Sequence, residues 1–231
     1  MGMRTASVVV PIWGASALTD TCLTELSRTS PEAEIIAIDN TGAYEVPAAA
    51  QNVRLVAMST NVGCATAKAT GAAMSDRDVV ITMDCDAFPH DGWLEPLLAV
   101  FDDERVGMAG PRILNHDGTL QTACIRTFHG NGSAGGENRR DEHVSNKDEL
   151  GATGACMAIR RTALDGCPFD TINMNTTYDD VDLSLQLKEA GWLIAYVAES
   201  IVTHGSVSTG VERWVGVHDV IARMNSKWGN R

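Results

Sequence analysis

Asp78-Val-Val-Ile-Thr-Met-Asp-Cys-Asp86 is the stretch on which the fold turns. An apolar, β-branched run stops abruptly on two carboxylates separated by one residue. A short run of this kind reads as a strand covered on both faces, because it offers no polar side to solvent. Ala6-Ser-Val-Val-Val-Pro-Ile12 has the same character and is ended by Pro11 and Gly14. Glu34-Ile-Ile-Ala-Ile-Asp39 does too, and Asn40-Thr-Gly42 turns the chain out of it. Residues 53–58 form a shorter run. Between these strands, Leu18, Cys22 and Leu26 recur at helical spacing before Pro31, and residues 62–74 are Ala-rich and helical. Strand and helix alternate with short connections. That predicts an α/β fold with a mostly parallel central sheet flanked by helices.

The second half is less regular. Leu94, Leu97, Leu98 and Phe101 mark a helix, followed by an apolar segment at 106–109. Residues 129–150 are polar and Gly-rich without an apolar period, which predicts a long loop, either a lid or a disordered connection. Residues 155–159 are strand-like, 179–190 are helical, and 193–198 and 201–203 read as two short strands. Trp214, Val217, Ile221, Met224 and Trp228 step by three and four residues, so the C-terminus is an amphipathic helix. Its stripe either packs on the domain or forms a homo-oligomer contact. Without an internal repeat or linker, the chain reads as one domain.

Composition removes several function classes. The 231 residues carry 18 Lys+Arg and 30 Asp+Glu, a net charge of −12, with 44% hydrophobic residues. That hydrophobic share excludes a largely disordered chain. A pI of 4.8 excludes bulk-charge binding of nucleic acid. An anionic ligand would need a local device such as a metal ion or a helix N-terminus. No apolar run approaches the ~18–20 residues of a membrane-spanning helix, and residues 1–10 lack the pattern of a signal peptide. The six cysteines (22, 64, 85, 124, 156 and 167) form no CxxC and read as reduced thiols. The expectation is a cytoplasmic protein with no transmembrane segment, in which the sequons at Asn131 and Asn175 carry no weight.

Several constellations carry chemistry. Asp84 and Asp86, at i and i+2 on an extended chain, point the same way and can share a hard divalent cation. The alternative is a polar turn, but strand C-termini are where open α/β sheets bind ligands. Tyr178-Asp-Asp-Val-Asp182 opens a helix, where acids complement the macrodipole. Three acids in four residues exceed what a cap needs, and crowding would raise a pKa in the way a general base requires. His204 follows the last strand as a metal ligand or a structural residue. Asn61-Val-Gly63 cradles a phosphate or caps the helix after it, and Lys68 is a phosphate contact or an exposed helix cation. His129-Gly-Asn-Gly-Ser-Ala-Gly135 holds a formal G-x-G-x-x-G, but no apolar helix follows, so it is not a dinucleotide site. There is no Walker A motif and no G-x-S-x-G.

Taken in order from about Ser7 to Ser208, these segments resemble the family 2 glycosyltransferases with the GT-A fold. The residues concerned are 8–12, 35–40, Asn61-Val-Gly63 with Gly71, Asp84-Cys-Asp86, 110–121, 153–161, Phe169-Asp170, Asp179-Asp-Val-Asp-Leu183, Gly191-Trp192 and Val202-Thr-His204. The resemblance implies inverting transfer of a sugar from a nucleotide diphosphate donor, a UDP-sugar first, to an acceptor hydroxyl. It implies Mn²⁺ or Mg²⁺ on Asp84, Asp86 and His204, and Asp180 as the base. Pro11, Ile12, Trp13, Asp39, Asn61, Gly63, Lys68, Asp84 and Cys85 would meet the donor, and Gly154, Asp179 and Trp192 the acceptor. Residues 1–110 would form the donor half, 111–208 the acceptor half, and 209–231 the C-terminal helix. The acceptor class, whether protein, glycan, lipid or other small molecule, is open. Three positions depart from the common pattern: Lys68-Ala69 where Asn is frequent, Asp179-Asp180 for Glu-Asp, and Gln186 for Arg.

Three rivals stand beside this reading. A sugar-nucleotide pyrophosphorylase would need a Gly-rich, basic loop after the first strand, and Trp13-Gly-Ala-Ser16 has neither property. A non-catalytic sugar-nucleotide-binding relative would not need the full set of acids found here. A carbohydrate-binding module would call for more aromatic platforms than an aromatic share of 5% supplies.

Overall fold

The computed structural model describes residues 4–14, 16–125, 127–129, 133–135, 145, 148–205 and 216–229. The first half builds β1 (Ala6–Ile12), α1 (Ser16–Thr29), β2 (Glu34–Asp39), β3 (Val53–Ala57), α2 (Cys64–Ala73) and β4 (Val79–Met83). Side chains alternate between the two faces, as the two-residue period of a strand requires. Val8, Val10, Ile35, Ala37, Ile81 and Met83 join the α1 side chains Cys22, Leu23 and Leu26 in one core. Val9, Ile36, Ile38 and Val80 face the other way, with Leu183 and Leu187 among their partners. Both faces are therefore covered. Helix α2 approaches so closely that a Cβ at Gly71 would overlap the Val9 side chain.

The chain continues through β5 (Ala87–Pro89), α3 (Leu94–Ala99), β6 (Val106–Leu114), β7 (Leu120–Thr122), β8 (Thr127–His129), β9 (Ser133–Gly135) and β10 (Cys156–Arg160). It ends in α4 (Arg161–Gly166), α5 (Asp179–Glu189), β11 (Leu193–His204) and α6 (Val217–Trp228). One sheet of order β3-β2-β1-β4-β10-β6-β11-β5, with β7 on β6, runs through both halves.

The structure adds detail to four expectations. The parallel run β3-β2-β1-β4 is as read, but β10 lies antiparallel to both β4 and β6, so the sheet is mixed. Its chain returns from the excursion after β7 and enters between them in the opposite direction. The two short strands at 193–198 and 201–203 are one strand, β11, carried past a register shift between Val197 and Ile201. The expected loop at 129–150 includes β9, which pairs with β8; most of that loop, with its lid reading, lies outside the described residues. The stripe of α6 is used inside the domain. Val220, Met224 and Trp228 pack with Ile125, Met174 and Val181, while Val217 and Ile221 are half-buried; Trp214 lies outside the described residues. Among the described residues no helix is long and apolar enough to cross a membrane.

Candidate metal centre and active site

The sheet brings Asp84, Asp86 and His204 together. β4 ends at Met83, and the next backbone N–H, of Asp84, donates to the Ala155 carbonyl at 3.0 Å. β5 pairs antiparallel with β11, placing Ala87 opposite His204, and Gly205 N–H donates to the Asp86 carbonyl at 2.9 Å. His204 Nε2 then lies 3.3 Å from Asp86 Oδ1 and 3.6 Å from Asp84 Oδ2. One ligand atom from each of the three falls within 4.8 Å of the others. Two hard carboxylates and one imidazole suit Mn²⁺ or Mg²⁺ far better than a soft-metal site.

Gln121, on β7, fixes the imidazole. Its Nε2 donates to Asn115 Oδ1 at 2.9 Å and to the His204 carbonyl at 3.2 Å. Its Oε1 is thereby turned to His204 Nδ1, 2.8 Å away. Nδ1 carries the proton in that arrangement, and Nε2 presents a lone pair toward the carboxylates, the form a metal ligand needs. Sequence spacing gave no signal for Gln121, which stands 83 residues from its partner.

The acids of α5 sit across a buried ion pair. Lys68 Nζ is 2.7 Å from Asp179 Oδ2, and the residues are only 1% and 7% exposed. Burial alone would push the Lys68 ammonium toward neutrality. Asp179, with Cys64 and Asp84 nearby, instead holds its pKa well above the ordinary value. The reading of Lys68 as an exposed helix cation is therefore wrong, and its ammonium already has a carboxylate partner. Asp179, expected at the acceptor, faces Lys68.

Asp180 is held by two backbone donors. Gly154 N–H reaches Oδ2 at 2.7 Å, and Val181 N–H reaches Oδ1 at 2.8 Å. Burial first, and then the neighbouring Asp179, raise the Asp180 pKa above the usual carboxylate range, against the opposing pull of Lys68 and the two N–H groups. A Cβ on Gly154 would stand 3.2 Å from Asp180 Oδ2 and 3.4 Å from Lys68 Nζ. Gly154 is thus packed against both.

The residues expected at the donor gather at the C-terminal ends of β1 and β2, where Ile12 is opposite Asp39. The Asp39 carboxylate is buried in its own turn. Oδ1 accepts from Thr41 N–H at 2.7 Å and Thr41 Oγ1 at 2.6 Å, and Oδ2 accepts from Tyr44 N–H at 2.9 Å. Burial acts to raise its pKa, but these donors outweigh it and hold the carboxyl below the usual range. Pro11 and Trp13 are half-buried at the same edge. The Cys85 side chain is buried, with the Trp13 backbone and the Thr19 hydroxyl as partners.

The Asn61–Gly63 turn behaves as a helix entry. Gly63 has φ +86°, which favours glycine, and its N–H bonds to Asn61 Oδ1 at 2.9 Å. The next three amides of α2 belong to Asn175. Its carbonyl accepts from Cys64 N–H and Ala65 N–H at 2.8 and 3.1 Å, and its Oδ1 accepts from Thr66 N–H at 2.9 Å. These donors are not open to a phosphate. Asn175 was missed because the cap comes from more than 100 residues away, and no local pattern records it.

Trp192 is not brought to the site. It follows the C-terminal end of α5, a helix of 11 residues, and packs against Gly107 in the core. All six cysteines are free thiols. Of the segment with the formal G-x-G-x-x-G, His129 and Ser133–Gly135 belong to the paired strands β8 and β9, and residues 130–132 lie outside the described residues.

A sequence model of Glycosyl transferase family 2 matches residues 7–167. Pre-mycofactocin glycosyltransferase of Mycobacterium tuberculosis is 31% identical over 156 residues, covering 66% of this chain and 32% of that protein. The chain thus spans about a third of the length of the curated relatives it matches. Among solved structures, GalNAc-T7 with UDP, GalNAc and Mn²⁺ superposes with a TM-score of 0.68 at 17% identity, covering 87% of this chain and 43% of that one. The mannosyltransferase PcManGT of Pyrobaculum calidifontis, in complex with GDP-Man and Mn²⁺, gives 0.67 at 16% identity, covering 93% and 60%. These likenesses show the GT-A fold.

Proposed function

The chain belongs to glycosyl transferase family 2, and from that membership we propose that it transfers a sugar, with inversion, from a nucleotide diphosphate donor to an acceptor hydroxyl. The observation that carries the proposal is the pairing of two acidic groups at one end of the sheet. Asp84 and Asp86 with His204 form one group, and Asp180 with its raised pKa forms the other. Lys68 interacts with both Asp84 and Asp180. A site with separate cation-binding and proton-accepting carboxylates suits displacement of a diphosphate by an alcohol.

Asp84, Asp86 and His204 would hold a divalent ion, Mn²⁺ or Mg²⁺, which supplies electrostatic stabilisation of the departing diphosphate. The remaining roles fall to this chain. Asp180 Oδ2, oriented by Gly154 N–H, takes the acceptor proton as the acceptor oxygen bonds to the anomeric carbon from the face opposite the leaving diphosphate. The bond from that carbon to the diphosphate breaks in the same displacement, giving a nucleoside diphosphate and the glycosylated acceptor. Burial keeps the Asp180 carboxylate basic enough to compete for that proton. Asp39 and the backbone from Pro11 to Trp13 form the cradle for base and ribose, with a UDP-sugar as the favoured donor. Lys68 serves through Asp179, holding the acid pair on the donor side.

The test is a donor panel. Thermal shift and nucleotide release are measured with UDP-, GDP-, dTDP- and CMP-sugars in Mn²⁺, Mg²⁺ or EDTA. One donor should raise the melting temperature only with metal present and be slowly hydrolysed. Absence of nucleotide binding under every metal condition overturns the proposal.

A further inference from the structure

Asp182, the third acid in the first turn of α5, has no part in the mechanism above, yet it is fully buried. Its carboxylate is held from α6 and from within α5. Trp228 Nε1 donates to Oδ1 at 2.7 Å, and Lys227 Nζ lies 2.8 Å from Oδ1 and 3.1 Å from Oδ2. Gln186 Nε2, one turn on, donates to Oδ2 at 2.7 Å. The cation for this carboxylate comes from Lys227.

The same helix grips the segment that leads into α5. Lys227 Nζ is 3.3 Å from Asp170 Oδ2, and Arg223 Nε donates to the Asn173 carbonyl at 3.1 Å. Between these anchors and α5, Asn175 caps α2, the helix that carries Lys68. The chain then passes through Tyr178, whose φ of +63° makes it the only non-glycine among the described residues in the left-handed region. A left-handed tyrosine is strained and persists only where its surroundings over-determine it. Those surroundings include the cluster that α6 shares with the domain, because Tyr178 packs against the group of Ile125, Met174, Val181, Val220, Met224 and Trp228. Asp180 lies between Tyr178, packed on the cluster that α6 completes, and Asp182, whose carboxylate α6 holds directly.

We propose that α6 is a clamp on the catalytic turn, with Trp228, Lys227 and Asp182 as positioning residues that hold Asp180 in register with the donor half. The inference rests on the reading of Asp180 as the base. A base must stand within a few tenths of an ångström of its working geometry, and a strained helix entry would otherwise relax away from it. Apolar packing of α6 needs neither the indole N–H nor the ammonium. Their convergence on one buried carboxylate beside the base is what a mere cover would lack.

The test uses the full chain. Trp228→Phe keeps the apolar body and removes only the N–H. Hydrogen–deuterium exchange over residues 176–187 should become faster in this variant, with exchange in β1 and β4 unchanged. The turnover number for donor hydrolysis should fall about tenfold while KM for the donor stays constant, as expected when a base is misplaced and donor contacts survive. Lys227→Met should behave like Trp228→Phe, and Lys227→Arg should restore wild-type values. The clamp is overturned by wild-type exchange at 176–187 in Trp228→Phe, or by a uniform rise over the whole sheet. If the wild-type protein turns over no donor, the transferase reading fails by itself, and the exchange comparison still decides the clamp.

Discussion

Lys68 Nζ and Asp179 Oδ2 meet at 2.7 Å in the interior, tying α2 to the first turn of the helix that bears Asp180. Breaking a buried pair from one side strands a charge away from water. Lys68→Met should therefore destabilise the fold by about 3–5 kcal/mol, read from urea unfolding. Lys68→Met with Asp179→Asn should cost clearly less than the two single changes added together. Strict additivity would mean that the two groups do not interact.

Removing the base should separate chemistry from binding. Asp180→Asn should lower turnover by roughly 10²–10⁴-fold, with donor affinity by calorimetry unchanged. Turnover equal to wild type would exclude Asp180 from proton transfer.

The Asp180 pKa gives a pH signature. Burial and Asp179 raise it, and the base must be ionised to work. The wild-type rate should fall on acidification through a pKa above the ordinary aspartate value of about 3.9. The sign for stability is the reverse of that for a salt-bridged carboxylate. The folded state binds this proton more tightly than the unfolded chain, so the group favours folding most at low pH and loses that contribution as pH rises through its folded pKa. An acid limb at or below the ordinary value would contradict the assigned environment.

Gln121 offers a test of the metal centre that leaves the ligands in place. Gln121→Leu removes the acceptor for His204 Nδ1 and frees the ring to rotate. Mn²⁺ affinity should weaken by about 10–100-fold, and His204→Ala should weaken it further. An unchanged Mn²⁺ titration in both variants would remove His204 from the ligand set.

Asn175→Ala deletes the side-chain cap of α2 while keeping its backbone carbonyl. A loss of about 1 kcal/mol is expected from the cap alone, measured by urea unfolding. Donor affinity should be affected only in proportion to the unfolded fraction. A selective loss of donor binding in the fully folded variant would show that the turn itself meets the donor.

Legibility followed the length of each signal. β1, β2 and β4 were readable because a strand buried on both faces must be apolar at every step. α1 was readable because its apolar residues recur over several turns. β5 and β7 each have three residues, too few for any period, and they became strands only because β11 and β6 offered edges. β11 was split in reading because Glu199 and Ser200 interrupt its apolar run, and the register shift there absorbs the interruption.

Sequence alone determined the layered α/β architecture, the two carboxylates at the end of β4 and the acidic turn before Leu183. Each is written in consecutive residues, as periodicity or local spacing. The family resemblance already implied that His204 joins Asp84 and Asp86; tertiary structure alone decided that Gln121 sets its tautomer, that Lys68 is the buried partner of Asp179 and that α6 closes on Asp182. These pairings join residues far apart in the chain. Their energies come from burial and low local dielectric, which exist only once the sheet and helices have excluded water.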